Sequence, residues 1–220
     1  MAEDWKQKAY VDHYNRLYRF DEEEIKAYLD PLQLNAADVF VDFGCGKGAA
    51  VFFAASVVQK AVGVDVSEAQ LTQAREGLNS FANVDLLQAG FLSCDLSPYR
   101  FTKGAARKAL HHLTDEEKGV FFANLSSFFA PGGLFVIEDA VFDFDRNQLS
   151  VQMPRLLQEA EVYYGPRWEL IRKDFLVTIN EEFSTGRRQW EQALAKGGFR
   201  IFHELRRTCF YATLVARKEG

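Results

Sequence analysis

Cysteine, histidine and basic runs are all scarce in this 220-residue chain, and each scarcity narrows what it can be. The three cysteines, Cys45, Cys94 and Cys209, are odd in number and widely spaced, which suits neither a disulfide framework nor a zinc-ligand pattern. They read as reduced thiols. The four histidines are scattered, and no His, Asp and Asn set has ligand spacing, so the sequence argues against a metal. No long Lys/Arg run occurs and the formal net charge is −5, which disfavours a nucleic-acid partner gripped through its phosphates. The opening MAEDWKQKAY lacks an apolar signal core, and no apolar stretch approaches a membrane span. A cytoplasmic protein without a membrane partner is the expectation. Internal repeats and low-complexity segments are absent as well.

What remains is material for one packed core. Apolar residues make up 48% of the chain, 20 residues are phenylalanine, and the length suits a single domain over 1–220. Short apolar runs alternate with amphipathic stretches. Val39-Phe40-Val41, Ala61 to Val66, Val84 to Leu87, Phe101 to Ala106 and Leu134 to Ile137 read as strands. Helices are expected over Asp21 to Leu32, Ala49 to Val58, from Ser67 onward and over Glu116 to Phe129, the last stopped by Pro131-Gly132-Gly133. Such alternation implies an α/β fold, a doubly wound and mostly parallel sheet.

After Asp139 the pattern changes. Residues 144–180 carry helical periodicity with a turn at Gly165-Pro166, and a helix is expected from Ser184-Thr185 to Gly197-Gly198. Two closing runs, Phe199 to Leu205 and Cys209 to Ala216, read as an antiparallel hairpin. Seven strands result. The domain divides into an N-terminal helical cap (1–34), a cofactor-binding half (35–140), a helical insertion over a substrate site (141–183) and a terminal helix with hairpin (184–220).

The segment VFVDFGCGKG sets Gly44, Gly46 and Gly48 directly after a strand and before a helix. Glycine permits a sharp turn and lets a ligand lie on bare main chain, while the helix start offers free N–H groups. Asp65 closes the next strand, where a carboxylate can accept both hydroxyls of a ribose. Gly44-x-Gly46-x-x-Ala49 also satisfies a relaxed dinucleotide fingerprint, so a nicotinamide-dependent oxidoreductase is a competing reading. Asp42 argues against it. A carboxylate ahead of the glycines repels a pyrophosphate and suits a cationic amino acid.

VFVDFGCGKG, AVGVDVS, ALHHLTDEEK and FFAPGGLFVIED, in that order and spacing, resemble the successive motifs of class I S-adenosylmethionine-dependent methyltransferases. The stretch EEFSTGRRQWEQALAKGGF resembles the region before the last hairpin in small-molecule members. The likeness extends over about residues 10–217. It implies a Rossmann-like methyltransferase that moves the methyl group of S-adenosyl-L-methionine to a small molecule. Gly44, Cys45 and Gly46 would present main chain to the methionine portion, with Asp42 near its amino group. Asp65 would hold the ribose, with Val66, Gly90 and Phe91 around the adenine, and Ala106 and Arg107 beside the methionine portion. Two positions depart from the pattern. Ala89-Gly90-Phe91 has no acid for the adenine amino group, leaving backbone carbonyls or Gln88, and the fourth strand begins Phe-Thr-Lys rather than Phe-Asp. That second departure keeps a catalytically inactive S-adenosylmethionine-binding protein open as an alternative.

An activated sulfonium needs alignment more than a dedicated catalyst, and a base serves only if the acceptor must lose a proton. His111 and His112 follow the fourth strand and are base candidates, with packing or capping as the rival explanation. His13 and Glu182 stand behind them. Tyr10, Tyr14 and Tyr18, four residues apart, form one helical face that either packs or lids the sulfonium. Tyr14 is the one expected to touch the cofactor. Phe144, Met153, Tyr163, Tyr164, Trp168 and Phe175 are expected to roof an apolar or aromatic substrate pocket, or else to form a homodimer contact. Lys103, Arg107 and Lys108 read as a solvated cluster or an attractor for an acidic substrate.

Overall fold

The computed structural model describes residues 21–220 together with Gln7 and Val11. The expectations for Tyr10, His13, Tyr14 and Tyr18 lie outside the described residues. Asp21 starts helix α1 (Glu22–Leu29) because its carboxylate accepts the Glu23 and Glu24 backbone N–H groups, two donors that the helix cannot itself satisfy. Strand β1 (Val39–Phe43) follows, then α2 (Ala49–Ala55), β2 (Lys60–Asp65), α3 (Glu68–Gly77) and β3 (Val84–Gln88). Ser67 caps α3 as its sequence position suggests. Strand β4 (Phe101–Arg107) leads to α4 (Asp115–Ser126), which opens on a reciprocal capping box between Thr114 and Glu117.

Strand β5 (Phe129–Phe142) begins before Pro131-Gly132-Gly133 rather than after it. Those three residues form an irregularity inside the strand: Phe129 pairs with Phe101, Leu134 pairs with Lys103, and Gly132 takes a φ of 80°. The extra residues are accommodated as a bulge, so the glycines bend the strand without ending it. Next come α5 (Leu149–Tyr164) and α6 (Trp168–Asn180), joined at Gly165-Pro166 as expected. Thr185-Gly186 is a two-residue strand, β6, paired with Val141 and Phe142. Helix α7 (Arg187–Lys196) therefore starts two residues later than its sequence pattern implies. The hairpin is β7 (Phe199–Arg206) and β8 (Tyr211–Lys218).

The main sheet runs β3-β2-β1-β4-β5-β8-β7, with β6 attached to β5. The first five of these are parallel, and β8 is antiparallel to both β5 and β7. One face is covered by α4 and α7 through Phe121, Phe122, Leu125, Trp190 and Leu194, and the other by α1, α2 and α3. Phe135 and Phe129 crowd over Gly104, where an added Cβ would lie 2.5 and 2.8 Å from their rings. No helix among the described residues is long and apolar enough to cross a membrane.

Candidate functional site

Strand order reverses between β1 and β4, since β1 continues outward to β2 and β3 while β4 continues to β5. Connections leave in opposite directions there and open a crevice at the carboxyl ends. A cavity of about 330 Å³ fills it. Of the residues that the sequence marks for cofactor binding, Asp42, Gly44, Cys45, Gly46, Asp65, Val66, Gly90, Phe91 and Arg107 all line this cavity.

The glycine turn is built for close approach. Gly44, Gly46 and Gly48 have φ values of 75°, 53° and 81°, in the left-handed region. A Cβ on Gly44 would sit 2.5 Å from the Ala109 Cβ, so the turn and the end of β4 touch with no space for a side chain. The turn is also tied to β2. Gly44 and Cys45 donate their N–H groups to the Val64 carbonyl at 2.8 and 3.1 Å.

Asp65 has two tasks. Its Oδ2 accepts the Gly46 N–H and its Oδ1 accepts the Ser67 N–H, each at 2.8 Å. These bonds hold the turn against burial, which pushes the Asp65 pKa up. Each carboxylate oxygen retains capacity for a further donor. Asp42 is different: it is buried, and no hydrogen-bond donor among the described residues reaches it. Burial first, and then the Asp65 charge, push the Asp42 carboxyl up to about 8, with Arg107 opposing them weakly.

Ala106 does not line the cavity. It pairs with Phe43 and is fully buried with Phe43 and Ile137 in the layer beneath α4, on the opposite face of the sheet from Ala105. Lys108 and Ala109, the next residues along, reach the cavity instead. Lys108 adopts a φ of 51°, rare for a side-chain-bearing residue, and burial followed by the nearby Arg107 charge lowers its amine to about 8. The expected basic cluster is dispersed. Lys103 Nζ donates to the Leu32 carbonyl at 2.6 Å, and Arg107 bonds Glu138 Oε1 at 2.6 Å and Glu24 Oε2 at 2.9 Å. Gln88 is exposed and does not line the cavity.

The aromatic insertion packs largely on itself. Phe144, Trp168 and Phe175 pack with Phe142, Phe210 and Tyr211 into a third core, and no residue of 143–183 lines the cavity. Tyr164 stacks on Trp168 at 6.1 Å, and Phe142 on Phe144 at 4.8 Å. These rings bury one another.

His111 and His112 occupy a short 3-10 turn (Leu110–His112) after β4. Asp139 anchors it, accepting the Leu110 and His111 N–H groups at 3.0 and 3.1 Å and contacting His111 Nδ1 at 2.6 Å. Burial opposes charge on His111, but Asp139 and Glu182 outweigh it and raise its pKa to about 10. Only His112 lines the cavity. Glu182 lies 3.2 Å from His111 Nε2 and 3.2 Å from His112 Nδ1. The scattered histidine spacing along the chain thus hid a cluster that includes an acid from beyond the insertion. Ile25, Gln70, Ala109 and Leu113 also line the cavity and carried no sequence signal.

The family described as methyltransferase domain matches residues 40–133, which hold the glycine turn, Asp65, the histidine pair and the bulge. An uncharacterized methyltransferase of Geobacillus sp. (strain WCH70) is 30% identical over 132 residues, 60% of this chain and 61% of that protein. A probable cobalt-precorrin-6B C(15)-methyltransferase (decarboxylating) of Archaeoglobus fulgidus is 42% identical over 67 residues, 30% of this chain and 40% of its own length. The chain thus spans less than two thirds of these curated relatives. Beyond residues 40–133, likeness continues at the level of fold. Magnesium protoporphyrin IX methyltransferase from Synechocystis PCC 6803 aligns over 98% of this chain and 97% of its own, at 14% identity and TM-score 0.68. Phosphoethanolamine N-methyltransferase 2 of Haemonchus contortus aligns over 97% of this chain and 58% of its own, at 15% identity and TM-score 0.73.

Proposed function

We propose that this chain is an S-adenosyl-L-methionine-dependent methyltransferase acting on a small molecule. The observation that carries the reading is Asp42, a buried carboxylate facing the cavity beside a bare glycine turn, with no donor among the described residues. Burying such a group costs stability unless a ligand supplies the missing charge, and a carboxylate selects a cation over a pyrophosphate. The α-amino group of the cofactor's methionine portion meets that need.

The remaining residues suit the same occupant. Gly44, Cys45 and Gly46 present the turn to the cavity, with open space beside Gly46, and Asp65 has acceptor capacity for ribose hydroxyls. Val66 and Phe91 offer apolar surface for adenine, with Gly90 beside them. Phe91 is steadied edge-on by Phe43 and Phe121, at ring-centroid distances of 6.5 and 6.2 Å. Arg107 acts at one remove: its guanidinium is engaged by Glu138 and Glu24, fixing the end of β4. When bound, the cofactor supplies an electrophilic methyl group ready for in-line displacement. The chain's part is to orient that group toward the His112 and Lys108 wall and to keep water out.

Thermal unfolding with added ligands tests the reading. S-adenosylhomocysteine at a hundredfold excess over its Kd should stabilise the protein by about 2.7 kcal/mol, and NADH should leave it unchanged. The reverse result would make this a nicotinamide enzyme. Saturable transfer from labelled cofactor to a small-molecule panel separates an enzyme from an inactive cofactor-binding protein.

A further inference from the structure

We propose that His111, His112 and Glu182 form a binding site for one divalent transition-metal ion, with zinc the best match to the donor set. One ligand atom from each of the three residues lies within 4.8 Å of the others. The proposal does not depend on methyl transfer, because it concerns what these three side chains bind in the protein alone.

The chain brings them together from two directions. Consecutive histidines in the 3-10 turn set their rings 4.3 Å apart between centroids. Glu182 follows the end of α6, and its neighbour Phe183 donates its N–H to the His111 carbonyl at 2.9 Å. Arg146 Nη2 holds the Glu182 carbonyl at 2.7 Å. The acid is therefore delivered to the histidines by main-chain bonds, independently of any attraction between the side chains themselves.

The two acid–histidine separations suit metal ligands, with the carboxylate turning one oxygen to each ring. Glu182 Oε2 stands 3.2 Å from His111 Nε2, and Oε1 stands 3.2 Å from His112 Nδ1. Ligands bonded to zinc at about 2.0–2.1 Å in a tetrahedron are separated by about 3.3 Å. His111 is also oriented as a metal ligand requires. Asp139 Oδ1, 2.6 Å from Nδ1, fixes the donor proton on that side and turns Nε2 toward Glu182.

A ring nitrogen 3.2 Å from a carboxylate oxygen requires something electropositive near both, and the rival occupant is a proton. The geometry favours the ion. Glu182 Oε2 is buried, and its 3.2 Å separation from Nε2 is long for a charge-assisted hydrogen bond, which is ordinarily about 2.7–2.9 Å. A proton must lie close to the N···O line to bridge, whereas a metal bonds both atoms from off that line. His112 also lines the cavity, so the ion would lie in the cavity wall. Three protein donors beside a cavity leave a coordination position open, as in catalytic rather than structural zinc sites.

The test is to strip the full chain with a chelator and titrate it with Zn²⁺ by calorimetry and with Co²⁺ by visible absorption. The expected result is one ion per chain, a Co²⁺ d–d band of four-coordinate intensity and a rise in Tm with Zn²⁺. Glu182→Gln preserves volume and should weaken Zn²⁺ binding at least about tenfold. Its cooperative thermal unfolding confirms that it is folded. His203→Ala, an exposed histidine in β7, should leave binding unchanged. No stoichiometric uptake by the wild-type chain, or equal uptake by a folded Glu182→Gln variant, overturns the site and leaves a proton-bridged network in its place. Either outcome leaves the S-adenosylhomocysteine measurement untouched.

Discussion

The two ends of β1 each bury an aspartate, and they treat it in opposite ways. At the amino end Asp38 is surrounded by donors: Asn35 N at 2.9 Å, Asn35 Nδ2 at 2.8 Å and Thr102 Oγ1 at 2.7 Å. At the carboxyl end Asp42 has none among the described residues. Glu138, on β5, belongs with Asp38. It is fully buried and takes bonds from Arg107, Arg207, Tyr211 and Thr213. Satisfied acids knit the sheet together, whereas the unsatisfied one is a vacancy in the charge balance that a ligand can fill.

The largest effect should come from breaking a satisfied acid. Glu138→Gln leaves Arg107 and Arg207 without their shared counter-charge, and removing one partner of a buried ion pair costs about 3–5 kcal/mol. At about 2–4 °C per kcal/mol for a chain of this size, Tm should fall by roughly 6–20 °C. A Tm within a few degrees of wild type would mean that donor number does not distinguish the two kinds of acid.

Asp42→Asn should do the opposite. It removes a charge that folding has to desolvate, so the unliganded protein should be as stable as wild type or more so. Losing a charge-assisted bond of about 1.5–3 kcal/mol should weaken S-adenosylhomocysteine binding by roughly 10- to 150-fold. The pH dependence sharpens the contrast. The carboxyl is raised in the folded state, from an ordinary value of 3.8 to about 8, so between those values the unfolded chain has released a proton that the folded chain retains. Unliganded stability therefore falls as pH rises through this window. A cationic ligand favours the ionised carboxylate and expels that proton, so affinity should climb with pH up to about 8, by up to about tenfold per unit. Asp42→Asn should flatten the profile. A flat wild-type profile would remove Asp42 from the binding site.

The glycine turn, Asp65 and the strand–helix alternation were legible because each is a local signal: positive φ, a strand terminus, a hydrophobic period. Strand parity was harder. Ala106 and Lys108 are two residues apart, yet Lys108, at a positive φ beyond the strand end, lines the cavity while Ala106 stays in the core. The aromatic insertion was ambiguous because rings that roof a pocket and rings that bury one another have the same helical spacing. Glu182 was invisible as a partner of the histidines, since their meeting depends on where α6 ends. The two-residue β6 is too short to have a period at all.

One departure from the pattern of the methyltransferases that this sequence resembles is explained by the amino end of β1, and it yields the smallest expected effect. The fourth strand has Thr102 at the position where relatives often place an acid. Here the hydroxyl donates to Asp38 Oδ1 at 2.7 Å and accepts the Val39 N–H at 3.1 Å, joining β1 to β4 away from the cavity. An acid at this position would face Asp38 and repel it, so threonine suits this chain's own charge arrangement without bearing on catalysis. Thr102→Val keeps the shape and should cost about 1 kcal/mol, since Asp38 retains its two Asn35 donors. Affinity for S-adenosylhomocysteine should not change. If it does fall, the amino end of β1 is coupled to the cavity, and the division between structural and ligand-facing acids along this strand is wrong.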